Sequence, residues 1–571
     1  MNLNLNSIIR SMCLGVLLSS MVSWSAFGAS KLAKDLQNPP ANTDVVVQFK
    51  STPTSAILAS VTAKGGTLTS KSKTFALYNL SPAAINALDT NTNVIYASPN
   101  RKVKKKLEFA EPTVNANIAL SYGHDGSGVG VVIMDSGIGK HNDLQSATSS
   151  QSRVVYAENF ADATVTTDDL YGHGTHVAGV VAGNAAQSSG SNTTLTFRGI
   201  APNVNLINLR VLDANGQGTD FGVISAINRM IDLKNQVVSG KTNPYNIRVL
   251  NLSLGRQVVE SYTVDPLCLA VESAWKAGIV VVVAAGNNGR DNSMGTNGYG
   301  TITSPGNDPY VITVGAMKDM STSSRADDFI ASYSSKGPTL LDQIVKPDIV
   351  APGNRVIAAL GLNAAMPALY PGNIVPLSYY TSGNNTKAST QYFRLSGTSI
   401  AAPMVAGAAA LLIQNDPGIT PDTVKARLMK TSTKAFPASS TVCDSTTGAC
   451  YTSYYDMFTV GAGYLDVWAA LNCTDTVSSK NNSRSPSAVA DAAGNVSLVY
   501  PTGVVWGSGV VWGSGVVWGS GVVWGSANTI VEPAGVVWGS TTLQGYGVVW
   551  GSGVVWGSTS PFSEALSVKG E

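Results

Sequence analysis

Charge is what this chain most lacks. Asp, Glu, Lys and Arg make up only 13% of its 571 residues, and 37 basic against 35 acidic side chains leave a net +2. That balance excludes the concentrated basic face nucleic acid requires, so no nucleic-acid partner is expected. The one basic run, Arg101-Lys102-Val103-Lys104-Lys105-Lys106, is too short to make a membrane-surface patch. Cysteine is scarce too, with five residues and no spacing that resembles a zinc site. Histidine is scarcer still: His124, His141, His173 and His176 are all there are. A catalyst working through an imidazole base near neutral pH must use one of these four.

What is present points to export and to packed cores. Residues 1–10 end in Arg10, residues 11–27 are apolar around Leu14 to Leu18, and Gly28, Ala29 and Ser30 are small. That order reads as a secretory signal over 1–29, and the short, serine-containing run argues against a membrane anchor. No later stretch reads as a bilayer span, so the exported chain is expected to have no transmembrane segment. Cys13 leaves with the signal, and Cys268, Cys443, Cys450 and Cys473 remain, an even number that permits disulfides in an oxidising compartment. Cys443 and Cys450 bracket a short loop and are the expected pair, while Cys268 lies on an apolar helical face and reads as a core residue.

The rest divides by composition. Residues 31–109 read as strand, helix, strand, helix, strand, with Ser81-Pro82 opening the second helix and a basic run near the end. From 112 to 472, short Val/Ile/Leu-rich runs at 129–134, 204–212, 248–254, 279–285 and 310–314 alternate with helical stretches. Runs that are apolar on both faces require a parallel sheet covered on both sides. The expected fold is therefore α/β, a doubly wound parallel sheet, preceded by a small α+β unit and followed by a repetitive tail. Residues 473–502 are polar and read as a linker. In 503–571 the hexapeptide Gly-Val-Val-Trp-Gly-Ser occurs seven times and holds seven of the ten tryptophans. Stacked β structure and a flexible segment whose Val-Val-Trp units dock elsewhere both fit it.

Three stretches carry candidate chemistry. Gly397-Thr398-Ser399-Ile400-Ala401-Ala402-Pro403 places Ser399 at the start of an Ala-rich helix; taken alone, it favours an N-cap serine. Gly172-His173-Gly174-Thr175-His176 puts His173 at a glycine-flanked helix start, with His176 one turn on as a packed structural residue. The pair lacks the glutamate of a metalloprotease helix. Asp135 ends the apolar run before Ser136-Gly137, where active groups gather in such sheets. Asn287, after Ala284-Ala285-Gly286, reads as a turn residue or as an amide donor to a developing oxyanion. Each bland reading stands singly, but Asp, His and Ser then fall in one order, each at an edge of the same sheet.

These blocks resemble the three catalytic blocks of the subtilisin family, whose Asp, His, Ser order differs from that of chymotrypsin and the α/β-hydrolases. Val211-Leu212-Asp213 with Gly216-Gln217-Gly218, Asn251-Leu252-Ser253-Leu254-Gly255 and Lys346-Pro347-Asp348 agree with that family as well. The resemblance covers about 112–472, and 31–109 more loosely resembles the family's inhibitory propeptide of the I9 type. It implies a secreted serine endopeptidase acting on protein or peptide substrates and made as a self-processed zymogen, with its own propeptide as intramolecular inhibitor. Ser399 would be nucleophile, His173 base and Asp135 its orienting carboxylate, with Asn287 at the oxyanion. Gly216, Gln217, Gly218, Ser253, Leu254 and Gly255 would pair with an extended substrate, and Ala284, Ala285 and Gly286, with Thr303, Ser304, Pro305 and Gly306, would wall the pocket for the residue before the cut. No cofactor is implied for catalysis. Structural calcium is left open: Asp143 matches a ligand position in relatives, whereas the 185–197 loop matches poorly. Residues 360–390 look inserted and are expected near the cleft, and Ile400 stands where relatives often have methionine. The rival class is a surface-attachment or binding protein acting through the tail, with the protease fold as carrier; the tail is also a candidate for retention at the cell surface. A narrow processing protease is the alternative within enzymes.

Overall fold

The computed structural model describes residues 30–33, 36, 42–100, 106–490 apart from 165, 383–384, 445–446 and 478–482, then 496–499 and four short strands between 504 and 538. The signal segment and residues 101–105 lie outside the described residues. The chain divides into two compact units, Met1–Lys104 and Lys105–Glu571.

In the first unit, β1 (Thr43–Phe49) buries alternate residues, Val45, Val47 and Phe49, as a sheet with one covered face demands. Helix α1 (Ser55–Thr62) is capped by the Thr54 side chain, which accepts from the Ile57 N–H. Strands β2 (Gly66–Ser72) and β3 (Phe75–Leu80) form a hairpin; α2 (Pro82–Leu88), capped by Ser81, and β4 (Val94–Pro99) follow. The sheet order is β2-β3-β1-β4. The element missing from the sequence reading is β2. Its residues are exposed or half-buried and carry no apolar alternation; it exists because Lys73, at φ 48°, turns the chain back onto β3. The result is a split β-α-β unit instead of the expected five-element order.

The second unit begins with β5 (Lys106–Leu107), which pairs in parallel with β8 (Leu195–Thr196), so residues 106–109 belong with this unit. Between them lie β6 (Gly130–Asp135), β7 (Val154–Asn159) and α3 (His173–Ala182). After β8 come β9 (Asn205–Arg210), α4 (Asp220–Asn235), β10 (Ile247–Leu252), α5 (Pro266–Lys276), β11 (Val280–Ala284) and β12 (Ile312–Lys318). Two short strands, β13 (Phe329–Ile330) and β14 (Ile349–Pro352), complete an eight-stranded sheet. Its order is β13-β12-β11-β10-β6-β9-β7, with β14 also on β12, and every pair is parallel except β12 with β13. All residues of β6 and β11 are buried, which is why their sequences are unbroken apolar runs instead of alternating ones. The expected α/β doubly wound sheet is therefore the architecture found. Chain order reverses across β6 and β10, placing a crevice at the carboxyl ends of the central strands.

A three-stranded antiparallel sheet, β15 (Val356–Ala359), β17 (Ala388–Leu395) and β16 (Ile374–Pro376) in that spatial order, leads into α6 (Thr398–Asn415). Among the described residues α6 is the one helix long and apolar enough to cross a membrane, but 83% of it is buried inside the fold. It is apolar all round because it is a core helix. Helix α7 (Pro421–Thr431) follows, then the hairpin β18 (Ser439–Cys443) and β19 (Cys450–Tyr454), closed by the expected Cys443–Cys450 disulfide, and α8 (Val467–Leu471). Cys268 is buried, as its apolar face implies.

The segment read as a linker is partly docked. Strands β20 (Ser487–Ala490) and β21 (Val496–Val499) form a hairpin, and the Val345 N–H donates to Pro486 O at 2.8 Å. Ser485 Oγ bonds Asp348 and accepts from Lys425 Nζ, both buried charges. This serine serves buried ions instead of solvent. In the tail the described backbone is β22 (Val504–Val505), β23 (Val511–Trp512), β24 (Val523–Trp524) and β25 (Val537–Trp538), paired in that order.

One buried group gives the second unit a pH dependence. Glu111 is 4% exposed, neither of its carboxylate oxygens has a hydrogen-bond partner among the described residues, and Arg198 Nη1 is 4.0 Å away. Burial pushes its pKa up to about 7, with Arg198 opposing. A carboxyl raised in the folded state costs nothing below its unfolded pKa and destabilises as pH rises through the folded one. Glu111→Gln is expected to raise the unfolding midpoint at about pH 9, by up to about 3 kcal/mol of stability, and to change little near pH 4. Thermal unfolding at the two pH values measures this.

Candidate active site

The carboxyl ends of the central strands bring the candidate residues together. Asp135 closes β6 and is fully buried, with Oδ1 accepting from the Ser136 N–H at 2.8 Å. The same Oδ1 lies 2.8 Å from His173 Nδ1 at the first position of α3. A carboxylate only accepts, so Nδ1 carries the proton and Nε2 is left as acceptor. His173 Nε2 lies 3.1 Å from Ser399 Oγ. The chain of contacts thus runs from a dry carboxylate to a hydroxyl that lines an open cleft.

Ser399 is the second residue of α6. Pro403 sits inside this helix and has no N–H for the carbonyl four residues back, which is that of Ser399. Ser253 Oγ supplies the missing donor, reaching Ser399 O at 2.6 Å, and is itself held by Asn251 Nδ2 at 2.9 Å. Ser253 lines the cleft as expected, but its side chain is committed to fixing the serine-bearing turn.

Asn287 follows β11. Its Oδ1 accepts from the Thr398 N–H at 2.9 Å and Thr398 Oγ1 at 3.1 Å, so its Nδ2 is the end turned towards the serine. Gly397, at φ 152°, leaves the intervening space open: a Cβ there would stand 2.8 Å from Ser399 Oγ and 3.4 Å from Asn287 Nδ2. An oxyanion formed at that point would meet the amide of Asn287 and the first turn of α6, where backbone N–H groups lack helical partners.

The cleft has a volume of about 520 Å³ and is lined by Tyr171, His173, Gly216, Gln217, Gly218, Ser253, Leu254, Gly255, Asn287 and Ser399, among others. Ala284, Ala285 and Gly286 are not among the residues that line this cleft. Thr303, expected in the same wall, lies close to both flanking segments: a Cβ on Gly286 would lie 2.8 Å from its Cγ2, and one on Gly255 2.6 Å from its Oγ1. The segment 360–390 reaches the cleft as expected. The Met366 N–H donates to Tyr171 O at 3.1 Å, and the Met366 side chain joins the lining.

Sequence reasoning passed over Asp169. It is 1% exposed and accepts from Ser136 Oγ, the Gly172 N–H and the Thr175 N–H, each at 2.7 Å. Its bonds bracket His173 on both sides, and through Ser136 it reaches the residue beside Asp135. An acidic residue four positions before the histidine was the available signal, a carboxylate placed to cap the helix start. His176 is buried, with Nε2 3.1 Å from Val356 O and 3.2 Å from Phe393 O, and burial pushes its pKa down to about 3. It is a packed neutral histidine, as its position one turn along α3 implies.

Asp143 does not offer a calcium ion its oxygens. Oδ1 accepts from the Gln187 N–H at 2.8 Å and Oδ2 from the Tyr392 hydroxyl at 2.7 Å. Calcium requires six to eight oxygens turned towards it, and here protein donors face both. The residues present do not fit the ion left open by the resemblance.

With this geometry in hand, known proteins supply the class. The Subtilase family model matches residues 126–450. "Serine protease AprX" of Bacillus subtilis (strain 168) is 38% identical over 360 residues, covering 62% of this chain and 73% of its own. "Subtilisin DY" of Bacillus licheniformis is 34% identical over 326 residues, covering 57% and 91%. A solved structure of a cold-adapted subtilisin-like serine proteinase is 29% identical and covers 54% of this chain and 83% of that one, with a TM-score of 0.37. The chain belongs to the subtilase family. It is a serine-type endopeptidase, acts on protein or peptide substrates, and like its family needs no cofactor for the reaction.

Proposed function

We propose that this endopeptidase cleaves peptide bonds through Ser399, His173 and Asp135, with Asn287 and the Ser399 amide as the oxyanion site. The observation that carries the reading is the continuous run from Asp135 Oδ1 through His173 to Ser399 Oγ, at 2.8 and 3.1 Å, ending in the cleft. Ser399 Oγ attacks the scissile carbonyl as His173 Nε2 takes its proton, and Asp135 stabilises the imidazolium so formed. The proton passes to the leaving amine, the C–N bond breaks and an ester to Ser399 remains. Water, deprotonated by the same imidazole, then hydrolyses the ester and restores the serine. Gly216 to Gly218 and Ser253 to Gly255 border the cleft and are proposed to pair with the substrate as added strands.

We further infer export and self-processing. The amino-terminal signal pattern supports the first. The separate fold of residues 42–100, followed by the basic run at 101–106, supports an inhibitory propeptide removed between about 104 and 114. Ser399→Ala should accumulate as an uncleaved precursor when produced alone; normal maturation of that variant would assign the cut to another protease. The tail is proposed to hold the enzyme on a surface or partner through its Trp repeats. Deleting 501–571 is expected to leave peptide hydrolysis unchanged and to abolish retention on cells, measured by the partition of activity between cells and medium.

A further inference from the structure

We propose that Tyr392 and Arg153 take the place of a structural calcium ion at Asp143, so that the loop over 183–197 is held by protein bonds alone. These bonds bear on the stability of the second unit and are independent of the catalytic roles assigned above.

Three observations carry the proposal. The first is the carboxylate itself: its two oxygens face an N–H and a hydroxyl, at 2.8 and 2.7 Å, and Asp143 is 1% exposed. A metal would have to share both oxygens with these donors inside a closed interior. The second is the set of neutral oxygens close by, the ligands a hard cation needs beside a carboxylate. The carbonyls of Asp143, Val204 and Gln145 accept from the Arg153 guanidinium at 2.7, 3.2 and 3.2 Å, and that of Ala182 does so too. Arg153 is 7% exposed; burial pushes its pKa down to about 10, which leaves it charged. The locus therefore already holds a cation that is part of the chain.

The third observation is the direction of the loop's own side chain. Asn184 Nδ2 donates to Gln145 O at 2.7 Å and its Oδ1 accepts from the Ala186 N–H at 3.0 Å, so its oxygen serves its own turn instead of a metal beside Asp143. What spans the gap is Tyr392, from the strand that runs on to the serine. Its hydroxyl reaches both Asp143 and Ser188 Oγ, the latter at 3.0 Å, and its ring meets Phe197 edge-on at 4.7 Å. One side chain thus ties the 141–145 segment, the loop and β17.

The test is thermal unfolding of the full chain in a Ser399→Ala background, which removes self-digestion, with EDTA and with excess calcium. The expected result is one midpoint under both conditions, and for Tyr392→Phe a midpoint lower by a few degrees that calcium does not restore. A midpoint that falls in EDTA and recovers with calcium, with the response lost in Asp143→Asn, overturns the proposal. A calcium response that survives Asp143→Asn at full size places the metal elsewhere and supports it. If Asp143→Asn does not fold, Asn184→Ala, which removes the loop's candidate ligand oxygen, is read in its place by the same criteria. An unchanged midpoint in Tyr392→Phe also overturns the proposal, because Tyr392 would then tie nothing.

Discussion

Ser399→Ala is expected to lower kcat for peptide hydrolysis by about 10⁶-fold, the size of loss known for the nucleophile of subtilisin, a member of the same family. The physical reason is local. The imidazole 3.1 Å from Oγ would have no hydroxyl proton to take, and no ester could form on the enzyme. Removing Oγ opens no cavity of consequence and leaves the Ser253 bond to the residue's carbonyl intact, so α6 should keep its place. Substrate should therefore still bind, with the loss falling on kcat. Steady-state hydrolysis of a chromogenic peptide measures it, and an unchanged KM distinguishes lost chemistry from lost folding.

The second large effect belongs to Asn287. Asn287→Leu is expected to lower kcat by about 10²–10³ with KM nearly unchanged, again the figure known for the corresponding asparagine of subtilisin. Leucine also loses the Oδ1 that accepts from the Thr398 N–H and hydroxyl, so a fall in rate could reflect a displaced Thr398. Asn287→Asp resolves the two, because it keeps an acceptor for Thr398 and removes the Nδ2 donor. Both variants should lose the same order of rate. An Asn287→Asp enzyme with near-normal kcat would show that the side chain serves only to hold the turn before Ser399.

Much of this arrangement was legible because parallel strands buried on both faces have a plain sequence signature. The runs ending at Asp135 and Ala284 are apolar without alternation, and each is a central strand. The scarcity of histidine did the rest, narrowing the base to a residue whose glycine neighbours marked a helix start. What escaped was polar structure. Strand β2 shows no apolar period because it is an edge, and the segment around Ser485 looked like a linker because that serine answers buried Asp348 and Lys425 instead of packing a core. Asp169 and the structural role of Ser253 escaped for a related reason: each serves another residue's backbone or hydroxyl, and single-chain spacing does not reveal such partners.

The mechanism rests on Ser399 being a nucleophile activated by His173, and covalent labelling tests that most directly. A fluorophosphonate probe is applied to the mature enzyme, and the modified peptide is located by mass spectrometry. The predicted result is a single phosphonyl adduct on Ser399, matched by complete loss of peptide hydrolysis and reduced to trace labelling in His173→Ala. An adduct on another residue, or full hydrolytic activity in the labelled enzyme, would contradict it.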